Sequence, residues 1–299
     1  MSRRHVFLSR LLSSVVLWGL ALGTIFSGYE PGFFVLVSTL GLLGLWEFYT
    51  MLEQRQFPSF KWIGMACGAL LSCGSFYWFS KAGGGGTGNF PAVSYDFEVA
   101  TLVTFLLVVF ARQLFRTTRD PLPIETMAYT LFGLLYVPWL FSFVTKVVYL
   151  LPRDGAGHVT GHWYVLYLCV VTKFSDMGAY LTGSVIGKHL LIPHISPKKT
   201  WEGFFGALAF STGGSLAMRY FMPAQLGVLS FWDALVLGLG LGFAAVIGDL
   251  AESIVKRSAE AKDSGRFLPG IGGALDLIDS ILFTAPLLFF YLRFSVGLK

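Results

Sequence analysis

The sequence predicts an all-α fold: a polytopic integral membrane helix bundle of about nine transmembrane helices, with its N-terminus in the cytoplasm. Three observations carry that reading. Of the 299 residues, 55% are hydrophobic and only 13% are charged, whereas a soluble chain of this length carries about a quarter charged residues. The mean hydropathy is +0.66, and 29 Phe, 12 Tyr and 8 Trp supply more aromatic surface than one globular core can bury. The apolar residues also come in runs of about 20, enough to cross the hydrocarbon layer as a helix whose backbone polar groups are satisfied internally. A soluble enzyme, a disordered tail and a nucleic-acid module are excluded by the same figures.

The runs place helices at about 9–27, 31–51, 61–80, 97–111, 125–150, 162–186, 203–221, 229–251 and 276–296. Arg3 and Arg4 ahead of the first run imitate a signal peptide, but the run continues from Leu11 to about Phe26 with no convincing cleavage site. It therefore reads as a retained span. The fourth run is short and is expected to borrow residues from its flanks. With the N-terminus inside, fifteen of the 22 Lys and Arg fall on the cytoplasmic side and five outside, while Lys146 and Lys173 lie within spans. That bias follows the positive-inside rule and sends the C-terminus out.

Residues 1–150 read as N-terminal scaffold helices, and 151–299 as the region that carries the chemistry. In the first part, Gly83–Gly86 form a loop without the Lys-Ser/Thr of a phosphate cradle. Glu47, beside Trp46 near a helix end, reads as an interfacial group, and Lys146 is placed to snorkel. Cys67, Cys73 and Cys169 are odd in number, sit in apolar runs and lack metal-ligand spacing. Neither a disulfide framework nor a structural zinc is expected from them.

An ionisable group near the bilayer centre costs on the order of 2.5–3.5 kcal/mol, so each one calls for a reason. Lys173, Asp176 and Tyr180 share one helical face. They make either an ion pair holding two helices together or the wall of a polar cavity. The stretch Ser196-Pro197-Lys198-Lys199-Thr200-Trp201-Glu202-Gly203 follows. Adjacent lysines at a membrane surface commonly attract headgroups; here a proline and flanking hydroxyls frame them as a fixed phosphate site. Gly183 to Lys188 imitates a phosphate loop, but it is one residue short and His189 stands where Ser/Thr is needed.

Residues 248–280 are the densest stretch. Asp249, Glu252 and Lys256 share a face; Lys262-Asp263 and Pro269-Gly270-Ile271-Gly272-Gly273 follow; Asp276 and Asp279 then lie one turn apart. The alternation of spans puts Asp249 and Asp276 at the same membrane face. Two hard-oxygen carboxylates with lysines nearby describe a magnesium–polyphosphate site, and glycines let backbone amides approach anions closely. The plainer alternative is a charged loop with two helix caps, Asp276 being a favourable acid at a helix N-terminus. It leaves Asp249 and Glu252, in the last apolar turns of their span, without a role.

These residues resemble the phosphatidate cytidylyltransferase (CDP-diacylglycerol synthase) family. The resemblance rests on Ser253, Lys256-Arg257, Lys262-Asp263, Pro269, Gly272-Gly273, Asp276 and Asp279 at the family's spacings, and on the 176–180 and 196–203 stretches. It covers about residues 170–282. Ile271 stands where the family has His, and Leu277 where it has Arg. Leu cannot imitate a bidentate phosphate partner, and Arg266 is a candidate to supply the missing charge.

The resemblance implies that CTP and phosphatidate give CDP-diacylglycerol and pyrophosphate, with Mg²⁺ as cofactor, for phospholipid biosynthesis. It implies Asp249 and Asp276 as metal ligands, and Asp249, Asp276, Lys262 and Asp263 as the catalytic set. Lys198, Lys199, Lys256 and Arg257 would bind phosphates beside Gly272 and Gly273, with Ser196 and Thr200 as donors and Asp279 orienting lysines or water. Lys173, Asp176 and Tyr180 would line the lipid-headgroup entrance. A CTP-dependent polyprenol or dolichol kinase, a silent paralogue acting as a lipid-binding or assembly subunit, and a transporter stay as alternatives. The transporter lacks support from any internal repeat. A bacterial inner membrane, with the active site facing the cytoplasm, suits the length and charge bias. Gly238 and Gly242 make a small-xxx-small pair that suits packing within the bundle and a homodimer contact alike.

Overall fold

Long runs of Leu, Val, Phe and Ala, with proline admitted at the first turn where its missing N–H costs nothing, fold into helices. The computed structural model describes residues 3–82, 92–115, 122–151, 153–261, 264–265 and 272–294, without the side chains of 3–14, 82 and 92–94. Gly83–Gly86, Lys262, Asp263, Arg266, Pro269 and Ile271 lie outside the described residues. The helices are α1 (Arg3–Phe26), α2 (Glu30–Gln54), α3 (Lys61–Ala82), α4 (Ala92–Leu114), α5 (Pro123–Leu134), α6 (Leu140–Leu150), α7 (His162–Ile186), α8 (Trp201–Phe221), α9 (Phe231–Ser258) and α10 (Ala274–Phe294).

The fourth helix borrows residues from both flanks of its apolar run, as expected, and runs 23 residues, Ala92–Leu114. Two details depart from the sequence reading. The expected single helix over 125–150 contains a π-helical turn, Leu135–Trp139, between α5 and α6. Pro138 lies inside it, and a proline lacks the N–H that an α-helical ladder requires there. Nor is the chain wholly helical. Leu190–Ile192 (β1) and Ser196–Thr200 (β2) form an antiparallel hairpin pairing Leu190 with Thr200 and Ile192 with Ser196. Pro193 sits in the turn between them and Pro197 within β2, where proline disfavours helix.

Among the described residues, six helical segments are long and apolar enough to cross a membrane: Glu30–Gln54, Lys61–Lys81, Tyr95–Leu114, Pro123–Leu150, Phe231–Ser258 and Ala274–Phe294. The chain is an integral membrane protein. The apolar part of α1 is shorter, Val15–Phe26. α7 carries Lys173 and Asp176, and α8 is rich in Gly and Ser, so neither is among the six.

The chain divides into two compact units. The first holds the described residues of Met1–Ala82, Phe90–Thr145 and Ser258–Ile278; the second holds those of Lys146–Arg257 and Asp279–Lys299. The segment 258–278 thus groups with the first part of the chain. In the first unit, fully buried Tyr49 donates its hydroxyl to the Thr130 carbonyl (2.7 Å), and the Phe60 N–H donates to Thr130 Oγ1 (2.9 Å). A side chain at Gly64 or Gly133 would run into the Tyr49 ring.

The second unit packs through small residues and hydroxyls, as helices in lipid do when apolar contact alone favours no partner. The Ser211 hydroxyl donates to the Gly238 carbonyl (2.9 Å), and a Cβ on Gly242 would strike Ser211. Gly238 and Gly242 therefore face α8 within the chain. The Ser175 hydroxyl reaches the Gly242 carbonyl (3.3 Å), and Thr172 donates to Thr284 (3.3 Å), tying α7 to α9 and α10.

A Cβ at Gly133 would lie 2.8 Å from Tyr49 ring atoms, whereas one at Gly23 meets nothing within 4 Å. Gly133→Ala should cost about 1–3 kcal/mol and lower the thermal unfolding midpoint in detergent. Gly23→Ala should leave it unchanged or raise it slightly.

Candidate active site

The last turns of α9 bring polar chemistry to the end of an apolar helix. Gly248 explains how α9 approaches α10: a Cβ there would lie 2.8 Å from the Asp279 carbonyl oxygen and 3.0 Å from Ser280 Cα. That contact brings three carboxylates together. One oxygen each from Asp249, Glu252 and Asp279 lie within 4.8 Å of one another. Glu252 is 1% exposed and Asp279 7%. Like charges this close, away from water, repel unless a cation or proton compensates.

Lysines meet two of the three. Lys199, on β2, pairs with Asp249 (2.8 Å), and Lys256, one turn along α9, pairs with Glu252 (2.6 Å). The donor set is hard carboxylate oxygen, which suits Mg²⁺. The residues present therefore fit a magnesium site. Glu252, absent from the candidate set drawn from the sequence, stands in this carboxylate triad; its i, i+3 spacing from Asp249 was the signal.

The other expected residues fall into place unevenly. Lys173 and Asp176 pair with each other along α7 (3.0 Å), so their bond lies within one helix and does not join two. Tyr180 is 73% exposed. On the hairpin, Lys198 is exposed and Ser196 half-buried. Thr200 is the N-cap of α8, its Oγ1 accepting from the Gly203 N–H (3.1 Å). Arg257 Nε reaches the Ile195 carbonyl at 3.5 Å.

Gly272, Gly273 and Asp276 lie in the first unit, where they build the N-terminus of α10. Gly272 has φ +124°, a conformation open to glycine. Gly273 precedes the first helical residue, and Asp276 Oδ2 accepts from its N–H (2.7 Å) and from the Ser264 N–H (3.3 Å). A third-position acid bonding back to the N-cap amide is half of a capping box. Glu47 corrects the reading of it as an interfacial group. It is 6% exposed and its Oε2 accepts from the Leu275 N–H (2.9 Å) and the Ser264 hydroxyl (3.3 Å).

A model of the cytidylyltransferase family matches residues 8–295. The chain belongs to the cytidylyltransferase family. The match takes in α1–α6, well outside the 170–282 stretch on which the sequence resemblance rests. A phosphatidate cytidylyltransferase of Mycobacterium leprae is 40% identical over 153 residues, covering 51% of this chain and 45% of that protein. One from Staphylococcus aureus is 48% identical over 128 residues, covering 43% and 48%. The chain thus spans about half the length of the curated relatives it matches.

The carboxylate triad gives a prediction independent of turnover. Mg²⁺ in a hundredfold excess over its Kd should stabilise the protein by about 2.7 kcal/mol, read as a rise in unfolding midpoint over the chelator-treated protein. Asp279→Asn should raise the midpoint of the chelated protein, because one of three clustered charges is gone, and should abolish the Mg²⁺-induced rise.

Proposed function

We propose that this chain transfers the cytidylyl group of CTP to phosphatidate, giving CDP-diacylglycerol and pyrophosphate. The observation that carries the reading is the triad Asp249–Glu252–Asp279 with Lys199 and Lys256 paired onto it, in a chain of the cytidylyltransferase family. Asp249, Glu252 and Asp279 would hold Mg²⁺. Bound there, the ion supplies charge neutralisation for a triphosphate. A phosphate oxygen of phosphatidate attacks the α-phosphorus of CTP, and the bond to the β-phosphate oxygen breaks to release pyrophosphate. The attacking monoester is already ionised at neutral pH, so no side chain has to act as base or nucleophile.

Both reactants are anions, and catalysis is then positioning and charge compensation. Lys199 and Lys256 are held by their carboxylates with their ammonium groups at the triad. Lys198 on the exposed side of the hairpin, Arg257 at the end of α9, and Lys262 and Asp263 complete the polar set that the family resemblance assigns. Ser196 is the further donor; Thr200 serves first as a helix cap. Lys173, Asp176 and Tyr180 form the headgroup entrance, a role that the exposure of Tyr180 supports. The charge bias favours a cytoplasmic active site in a bacterial inner membrane.

Ile271 and Leu277 favour a second reading, a catalytically impaired relative. Purified protein with Mg²⁺, phosphatidate and α-³²P-labelled CTP separates the two. The first reading expects label in the organic phase with release of pyrophosphate. No transfer by this chain, but transfer by Ile271→His/Leu277→Arg, establishes the second.

Asp249→Asn, and Asp276→Asn through the metal-ligand role that the family resemblance implies for Asp276, should each reduce turnover by at least about a hundredfold in protein that still inserts and folds. Near-normal cytidylyl transfer by purified Asp249→Asn would overturn the metal assignment. A cysteine at Lys198 should be labelled by a membrane-impermeant reagent from the cytoplasmic side alone, and labelling from outside reverses the orientation.

A further inference from the structure

We propose that Glu47 is a positioning residue for Asp276 in the first turn of α10. The proposal rests on the cytidylyltransferase reading for its kinetic consequence, but its geometry stands on the first unit alone. α10 begins after Gly273, which has no side chain to cap the first free amides of the helix. Other residues do it in its place. The second helical amide, Leu275 N–H, donates to Glu47 Oε2 (2.9 Å). The third, Asp276 N–H, donates to the Ser264 hydroxyl (3.3 Å). That hydroxyl donates in turn to the same Glu47 oxygen (3.3 Å). Asp276 closes the ring by accepting from the N–H groups of Gly273 and Ser264.

One buried carboxylate on α2 therefore ties Ser264 to the first turn of α10. It also places negative charge at the positive end of α10. The packing is built around it. A Cβ on Gly265 would collide with Glu47 Oε1, and one on Gly273 with Glu47 Oε2 and the Ser264 hydroxyl. Two glycines thus give up side-chain volume to this group, more than a fortuitous surface carboxylate would require. Glu47 does not touch a reactant; it acts through Ser264 and the Leu275 amide on the orientation of Asp276, which precedes Asp279 by one turn on the same helix.

Gln is the informative conservative change. Its carbonyl can accept from Leu275 and Ser264 as Oε2 does, and its NH₂ would replace Oε1, which has no hydrogen-bond partner among the described residues. Ala removes both bonds. The primary measurement is hydrogen exchange by mass spectrometry on the full-length protein in detergent, following peptides over 272–280 against control peptides from α3. Glu47→Ala should accelerate exchange in the first turn of α10 by about tenfold, with the α3 peptides unchanged. Glu47→Gln should stay within about threefold of the parent.

In the transfer assay, Glu47→Ala should raise KM for Mg·CTP by about tenfold or more, with Gln restoring it. A loss of folded protein alone would lower apparent kcat and leave KM unchanged. Parent-like exchange and KM in Glu47→Ala would overturn the proposal. If that variant does not fold, Ser264→Ala takes its place: it should loosen the Asp276 amide, and unaltered exchange there overturns the proposal equally. If the parent transfers no cytidylyl group, the functional reading fails while the exchange data still decide the role of Glu47.

Discussion

A carboxylate withdrawn from water must be met by donors or cations, and this chain is arranged around that requirement. Taking a charge out of water costs several kcal/mol per ion even after relaxation. Glu47, Glu252 and Asp279 are all buried, and each has a different answer to the cost. Glu47 is met by a backbone amide at a helix start and a serine hydroxyl. Glu252 is met by Lys256 one turn along its own helix. Asp279 stands with two other carboxylates and accepts from the Ser280 N–H. The first answer makes structure, and the last sets out the hard oxygens that the proposed metal would use.

The helices can bring these groups together because their contact faces are nearly bare. Gly248 lets α9 approach the backbone of α10, and Gly238 and Gly242 let α8 and α9 close to hydroxyl–carbonyl distance. Lipid offers no gain for burying Leu against Leu over leaving it in acyl chains. Close approach with satisfied hydroxyls is then the available source of specific association. The same small residues that fix the packing of the second unit thus set where the triad stands.

Much of this was legible in the sequence, for identifiable reasons. The helix positions follow from unbroken apolar runs, and the polar residues of α7 and α9 stand out because such residues are costly in that setting. Glu252 was visible in its spacing from Asp249. The hairpin was not: Ser-Pro-Lys-Lys-Thr has no strand-like alternation, and its pairing depends on Leu190–Ile192 across a proline turn. Pro138 marked a weak point in its helix, but a proline alone does not say that the ladder widens into a π-turn. Glu47 was the least legible. Beside Trp46 it looks like a group at the membrane interface, and its partners lie 217 and 228 residues away, a relation that no local pattern encodes.

One of the two departures from the family pattern, Leu277, bears on this arrangement. Leu277 is half-buried within the first turns of α10, between Asp276 and Asp279. A guanidinium at that point would add a fixed cation beside carboxylates; Leu adds none, so the local balance shifts toward negative charge. Lys199 and Lys256 are already engaged with Asp249 and Glu252, and each can neutralise a phosphate only by sharing or leaving its carboxylate. If the triad holds Mg²⁺ as proposed, a site with its cations thus committed should rely more heavily on the divalent ion than one with an additional arginine. On that proposal, weaker affinity for nucleotide without metal is the expected consequence of Leu277.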